Sequence, residues 1–416
     1  MYDIIVIGGG AAGMLASCVA ADCGARVLLL EKNEKVGKKL FITGKGRCNL
    51  TNNCSAAEVL ENIPTGNRFL FGAMNGFDPG KVIALFESLG VALKTERGGR
   101  VFPASDKSSD IIAALKRYMS KTGVVIKHDS ATGIVADNGK VVGVNTNGGV
   151  IDCHCAVLAT GGKSYSATGS TGDGFDFATA LGHSITEIRG SLVPLIAEFG
   201  YNAQLQGLTL KNVKLSVFDG GKKPIFSDLG EMLFTHFGLS GPLVLSASAH
   251  MRDYRNKQYY VVIDLKPALD EKKLDLRILR DFEKYSNRDF SNALGDLLIR
   301  SMIPVIIKRT GIPDDIKVHS ITREQRLTLG QEIKAFRIDI DGPGSVEEAI
   351  ITSGGITTNE INPKSMESKL VNDLYFAGEI IDADAYTGGF NLQIAWATAY
   401  AAGKSAGTRY TNFPKT

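Results

Sequence analysis

The residues able to do chemistry begin near the N-terminus. Gly8-x-Gly10-x-x-Gly13 follows the apolar run Ile4-Ile5-Val6-Ile7, and Glu31 stands eighteen positions after the last glycine. This is dinucleotide-binding spacing: Gly8 permits a tight turn, Gly10 lets backbone approach a pyrophosphate, and Gly13 lets a helix pack close to a strand. Ala11 and Ala12 open that helix, whose positive end faces the phosphates. Glu31, at the end of a second strand, can accept hydrogen bonds from an adenosine ribose, and its charge opposes a 2′-phosphate.

From Lys32 to Asn52 the chain is a glycine-punctuated, cation-rich loop containing Lys39, Gly46, Arg47, Cys48 and Asn49. It lacks the P-loop spacing. It suits an anionic ligand, with Arg47 as a planar fork for phosphate or carboxylate; the competing reading is a solvated basic loop. Cys48 is the one thiol inside a motif, and a nucleophilic role there competes with that of an inert packed cysteine. Further on, Ala159-Thr160-Gly161-Gly162 ends a strand and lets backbone pass close to a nucleotide. Gly378-Glu379 delivers a carboxylate at a strand end, and Gly388-Gly389-Phe390-Asn391-Leu392-Gln393 leads into a helix. A carboxylate beside a polyol and a glycine-led helix N-terminus beside an electron-rich ring fit flavin binding, because the helix end stabilises negative charge on the reduced ring.

The elements that must position these groups follow from periodicity. The first segment reads as strand, helix, strand, then helices over Asp78–Gly90 and Asp106–Thr122, the latter capped by Ser105 or Asp106 and stopped by Gly123. Arg97–Pro103 reads as a loop. A meander follows, with Asp137-Asn138-Gly139 as a hairpin turn. Thr171-Gly172-Asp173-Gly174 opens a helix, capped by Thr171 or Asp173. From Ser191 the doubly wound rhythm is lost. The domain reading is 1–190 for the first nucleotide-binding segment, 191–350 for an inserted β-rich domain with a helical part at about 268–332, and 351–416 for the second segment. Within the insert, Asp270–Lys284 and Ser291–Thr310 read as helices. Phe234–Pro242 reads as a glycine-rich loop carrying His236, the first candidate for proton transfer if that domain covers a bound flavin. The C-terminal helix reads as Ile394–Gly403.

Composition narrows the classes. A formal charge of +3 argues against nucleic acid or an anionic membrane as partner. No apolar run approaches the roughly 20 residues a bilayer span needs. The N-terminus lacks a basic leader and does not read as a signal peptide. Neither the six cysteines nor the six histidines show metal-ligand spacing, so the expectation is reduced thiols, a cytoplasmic location and no metal.

Taken together, the Gly8/Gly10/Gly13–Glu31 fingerprint, Thr43-Gly44-x-Gly46-Arg47-Cys48-Asn49-x-Thr51-Asn52, Ala159–Gly162, Thr171–Gly174, Phe234–Pro242, Gly378-Glu379-x-x-Asp382 and Gly388–Gln393 resemble the HI0933-like flavoproteins, also described as a BaiN-type or aminoacetone-oxidase-like group. The resemblance runs over essentially the whole chain; Phe390 departs from the tyrosine usual there. It implies an α/β fold with a Rossmann-like FAD-binding domain, of fumarate-reductase or glutathione-reductase type, in two segments around the insert. It implies that Gly8, Gly10, Gly13 and Glu31, followed by Lys32, hold the ADP part of FAD. Lys39, Arg47, Thr160 and Gly161 would lie along the pyrophosphate and flavin, Glu379 at the ribityl chain, and Gly389, Asn391 and Leu392 at the isoalloxazine. The expected activity is hydride transfer between a small organic substrate (amine, ketone or enone) and flavin N5, with Arg47 favouring the reduced anion. No second Gly-x-Gly-x-x-Gly exists, so NAD(P)H would dock transiently or oxygen would reoxidise the flavin. Two other classes remain open: a flavoprotein acting on RNA, of tRNA-modification type, and a non-catalytic flavin-binding protein.

Overall fold

Ile4 to Ile7 are almost wholly buried, as a strand covered on both faces requires. They belong to β1 (Tyr2–Ile7), which is followed by α1 (Ala11–Asp22) and β2 (Val27–Glu31). β1 and β2 pair in parallel with Ile4 opposite Val27. The structure, a computed structural model, describes residues 1–345 and 349–411. They form two units: Met1–Ser191 with Ser345–Thr416, and Leu192–Gly344.

In the first unit the parallel strands run in the order Val125–His128, β2, β1, Gly149–Leu158, Leu374–Phe376. Strand Gly149–Leu158 serves two sheets. Its second half pairs with β1 and Leu374–Phe376, while its first half lies antiparallel to Lys140–Thr146. Asn138 and Gly139 turn the neighbouring hairpin at φ 48° and 73°, the conformation that this Asn-Gly pair favours.

The C-terminal helix spans Phe390–Thr411, well beyond the expected Ile394–Gly403. Gly403 does not stop it, because that glycine serves a helix–helix contact. A Cβ there would sit 2.5 Å from the Ala16 carbonyl oxygen, and one at Gly407 would sit 2.8 Å from Cys23 Cβ. Close packing against α1 therefore outweighs glycine's poor helix propensity of about 1 kcal/mol. The same helix is pinned by polar side chains: Trp396 Nε1 donates to the Leu50 carbonyl at 2.9 Å, and buried Gln393 accepts from Thr51 Oγ1 at 2.6 Å and donates to the Phe77 carbonyl at 2.8 Å.

Several local expectations are corrected. Arg97–Pro103 is not a plain loop, since Arg100–Pro103 pairs with Leu93–Glu96 around an Arg97-Gly98-Gly99 turn. The helix Ser108–Thr122 does stop at Gly123, but Lys107 occupies its N-cap without a side-chain bond. The helix Asp173–Ala180 is preceded by Gly172 at φ 90°, and neither Thr171 nor Asp173 caps it.

The second unit is an antiparallel sheet in the order Phe336–Ile340, Tyr259–Asp264, Thr209–Phe218, Phe226–Thr235, Gly238–Ser240, Leu195–Ile196, Gly342–Pro343. One face buries Leu215, Val217, Val261, Ile263, Phe336 and Ile338 against helices Pro242–Ser248, Glu271–Lys284, Ile303–Thr310 and Arg323–Lys334. The segment expected as one helix, Ser291–Thr310, is three short pieces, because Pro304 starts a new helix at Ile303. Phe234–Pro242 is likewise a hairpin rather than a loop: Thr235 pairs with Gly238, leaving His236-Phe237 as a two-residue turn. Among the described residues no helix is long and apolar enough to cross a membrane.

Candidate functional site, a dinucleotide cleft

The first unit contains an elongated cleft with about 1290 Å³ of empty space, part of it open to solvent. Its floor is the fingerprint turn: Gly8, Gly10, Ala11 and Ala12 line it. Gly13 lies behind, where a Cβ would come within 1.8 Å of the Gly8 carbonyl oxygen. Its role is thus the expected close packing. A Cβ at Gly10 would meet nothing within 4 Å, so the backbone there faces open space where a pyrophosphate can approach the free N–H groups of α1.

At one end stands Glu31, buried at 8% exposure. Its Oε2 accepts from Gly9 N at 2.8 Å, and its Oε1 from Asn33 N at 2.8 Å and Asn33 Nδ2 at 2.6 Å. Lys32 also lines this end, with its Nζ held by Thr171 Oγ1 and Asp173 Oδ2, both at 2.6 Å. Burial alone would raise the pKa of Asp173, but the bonds from Lys32 and Thr171 outweigh it and hold the carboxyl below its ordinary value.

A second carboxylate, Glu379, lies on the same wall beside Gly378, Thr160 and Gly161. Lys39 Nζ donates to Glu379 Oε2 at 2.6 Å and to Ser164 Oγ at 2.7 Å; Glu379 Oε1 accepts from Ser164 Oγ at 3.0 Å and from Thr352 N at 2.8 Å. A carboxylate offers about four lone-pair sites. Glu31 and Glu379 each spend three, so each keeps one acceptor site on Oε2. Thr160 Oγ1 is buried and has no hydrogen-bond partner. Two spare carboxylate acceptors and one orphaned hydroxyl are what a dinucleotide carrying sugar hydroxyls at both ends would satisfy. The residues present therefore fit FAD.

Asn391 and Leu392 line the cleft from the start of the C-terminal helix. The Asn391 side chain is spent locally: Oδ1 accepts from Ala385 N at 2.8 Å and Nδ2 donates to the Ala385 carbonyl at 2.7 Å. Only its backbone remains for a ligand. Gly389 lies against the chain itself, since a Cβ there would strike the Thr51 carbonyl at 2.5 Å.

The cation-rich loop departs most from expectation, and Gly46, Arg47, Cys48 and Asn49 are not among the residues lining the cleft. Arg47 is engaged by two carboxylates, donating from Nε to Asp106 Oδ1 at 2.8 Å and from Nη2 to Glu96 and Asp106, with its guanidinium 4.2 Å over the Phe102 ring. The fork expected for an anionic ligand is thus occupied by protein. Cys48 is fully buried, and burial pushes its thiol up to about 12, so it is no nucleophile near neutral pH. Buried Asn49 Oδ1, also without a partner, lies 3.0 Å from the point where Gly389 would carry a Cβ. His236 belongs to the second unit, exposed on its turn with its ring 4.9 Å from Phe237. Asn33, Ser164 and Thr352 join the site although no motif marks them. Asn33 follows Glu31 closely and was findable as a turn residue, whereas nothing local in the sequence ties Ser164 or Thr352 to Glu379.

A two-segment Rossmann-like domain around a cleft of this kind defines an FAD-dependent oxidoreductase. The chain belongs to the HI0933-like family, whose Rossmann-domain model matches residues 2–405. Among curated relatives, a 3-dehydro-bile acid delta(4,6)-reductase of Clostridium scindens is 29% identical over 98% of this chain and 100% of its own length. A ribosomal RNA dihydrouridine synthase of Escherichia coli is 30% identical over 96% of each. Among solved structures, a 3-ketosteroid delta1-dehydrogenase of Sterolibacterium denitrificans superposes with a TM-score of 0.53 at 13% identity, covering 98% of this chain and 99% of that one. At that identity the likeness is one of fold.

Proposed function

We propose that this enzyme reduces a carbon–carbon double bond conjugated to a carbonyl, in a small organic molecule of the enone class. The observation that carries the reading is similarity over nearly the whole chain to two enzymes whose names share one chemistry: saturation of a ring double bond in a bile acid, and of uridine to dihydrouridine. Bound FAD supplies the hydride. The chain's own part is binding and orientation: Glu31 and Glu379 take up hydroxyls through their spare Oε2 sites, and Lys39 holds the Glu379 carboxylate in place. With Arg47 and Cys48 spent, His236 is the side chain we propose for delivering the proton. NAD(P)H, docking transiently, is the proposed electron source.

A second reading has its own support: relatives in Escherichia coli and Haemophilus influenzae, each 30% identical, are ribosomal RNA dihydrouridine synthases. The substrate would then be uracil within RNA. Anaerobic bleaching of the flavin by NADH and NADPH, followed by addition of a cyclic enone or of unmodified ribosomal RNA, separates the two. Reoxidation by the enone supports the first reading, and dihydrouridine in digested RNA supports the second. Flavin that bleaches but is reoxidised by neither sinks both. His236→Gln is expected to slow reoxidation and leave FAD content unchanged.

A further inference from the structure

The antiparallel sheet of the second unit has an outer face that its helices do not use. Side chains alternate along a strand, so the partners of the buried residues project together on the other side: Lys214, Ser216 and Phe218 on one strand, Tyr260 and Val262 on the next, Arg337 and Asp339 on the edge strand. Phe218 stands opposite Tyr260 with ring centroids 5.0 Å apart and planes 5° from parallel. The Arg337 guanidinium lies 3.8 Å over the other side of the pair, on the Tyr260 ring. The result is a column of three flat π groups on a partly exposed sheet face.

Cross-strand stacking alone stabilises a sheet, but it does not account for the charges around the column. Lys211, Lys214, Lys222 and Lys223 are all exposed on the Phe218 strand and the turn after it, and among the described residues none of their side chains makes a hydrogen bond or ion pair. The acids nearby are largely occupied. Asp219 holds Lys257 at 2.6 Å, Asp339 holds Arg337 at 2.7 Å, and Asp264 holds Lys334 at 2.6 Å, leaving Asp228 and Glu231 as the acids without such a partner. Unpaired cations flanking stacked aromatic and guanidinium planes are the elements of a single-strand binding surface: bases extend the stack and lysines meet phosphates.

We propose that this face docks single-stranded RNA, with Phe218 and Arg337 as stacking ends and Lys214, Lys222 and Lys223 as phosphate contacts. The proposal rests on the second reading above, in which the substrate is uracil within RNA. The test is fluorescence anisotropy of a fluorescein-labelled oligouridylate with the FAD-loaded full chain across a salt series. Phe218→Ala is expected to weaken binding about tenfold, the loss typical of one stacked base. The double variant Lys222→Glu/Lys223→Glu disturbs no packing and is expected to lower the log–log salt slope by about 1.4. Both should keep wild-type FAD content and wild-type bleaching by NADPH. Wild-type binding that neither variant weakens overturns the proposal while the RNA reading stands. Wild-type protein that ignores the oligonucleotide at low salt, and leaves ribosomal RNA unmodified, removes both. A change of sedimentation coefficient in the variants, without any change in RNA affinity, would make the face a self-association surface and overturn it as well.

Discussion

Replacing Thr160 by valine removes one hydroxyl and keeps the side chain's shape, at a position where that hydroxyl is buried on the cleft wall without a partner. In the FAD-free protein this orphan costs about 1–3 kcal/mol. Thr160→Val should therefore not destabilise the apoprotein. A gain near about 1 kcal/mol, at about 2–4 °C per kcal/mol for a domain of this size, raises its Tm by about 2–4 °C. The holoprotein behaves in the opposite way: a polar group of the cofactor loses its partner, and affinity falls by about 1.4 kcal/mol, or tenfold in Kd. Thermal melts of the apoprotein and titration of FAD by fluorescence quenching read the two effects separately. An apoprotein that melts lower, together with an unchanged Kd, would refute the reasoning, because the hydroxyl would then be bonding within the chain.

The remaining predictions concern packing, a thiol and a buried imidazole. Gly403→Ala improves local helix propensity by about 1 kcal/mol yet places a methyl 2.5 Å from the Ala16 carbonyl oxygen, so the net effect is a loss of about 1–2 kcal/mol; a higher Tm would contradict it. Cys48 should resist iodoacetamide in the native state at pH 8 while alkylating in denaturant, and Cys48→Ser should keep NADPH bleaching; rapid native labelling would contradict the buried thiol. His183 Nδ1 donates to Glu360 Oε2 at 3.0 Å, its Nε2 accepts from Ser368 Oγ at 2.9 Å in the neutral ring, and burial, the largest cause, holds its pKa below the ordinary value despite Glu360. The unfolded chain then takes up the proton first. This contribution to stability is complete above about pH 6.5 and declines as the pH falls below it. Melts between pH 8 and 5 should show that decline, and His183→Gln should flatten it; an acid-insensitive wild type would count against it.

Much of the cofactor half is legible in the amino-acid sequence because it is written in short-range chemistry. A strand of β-branched residues, three glycines at fixed offsets and an acid at the next strand end specify turn, helix and carboxylate within one βαβ unit, and Gly8, Gly10 and Glu31 sit where that grammar puts them. The Asn138-Gly139 hairpin and the helix starts at Asp78 and Asp270 are local in the same way. Tertiary structure decided everything that depends on a partner far along the chain. Arg47 reads as a ligand fork until Glu96 and Asp106 arrive beside it, and Glu379 acquires Lys39, Ser164 and Thr352 from three separate segments. Gly403 reads as a stop until α1 comes close enough to need it. A hydrogen bond or a close contact is a relation between two positions, and periodicity along one stretch carries no information about the other.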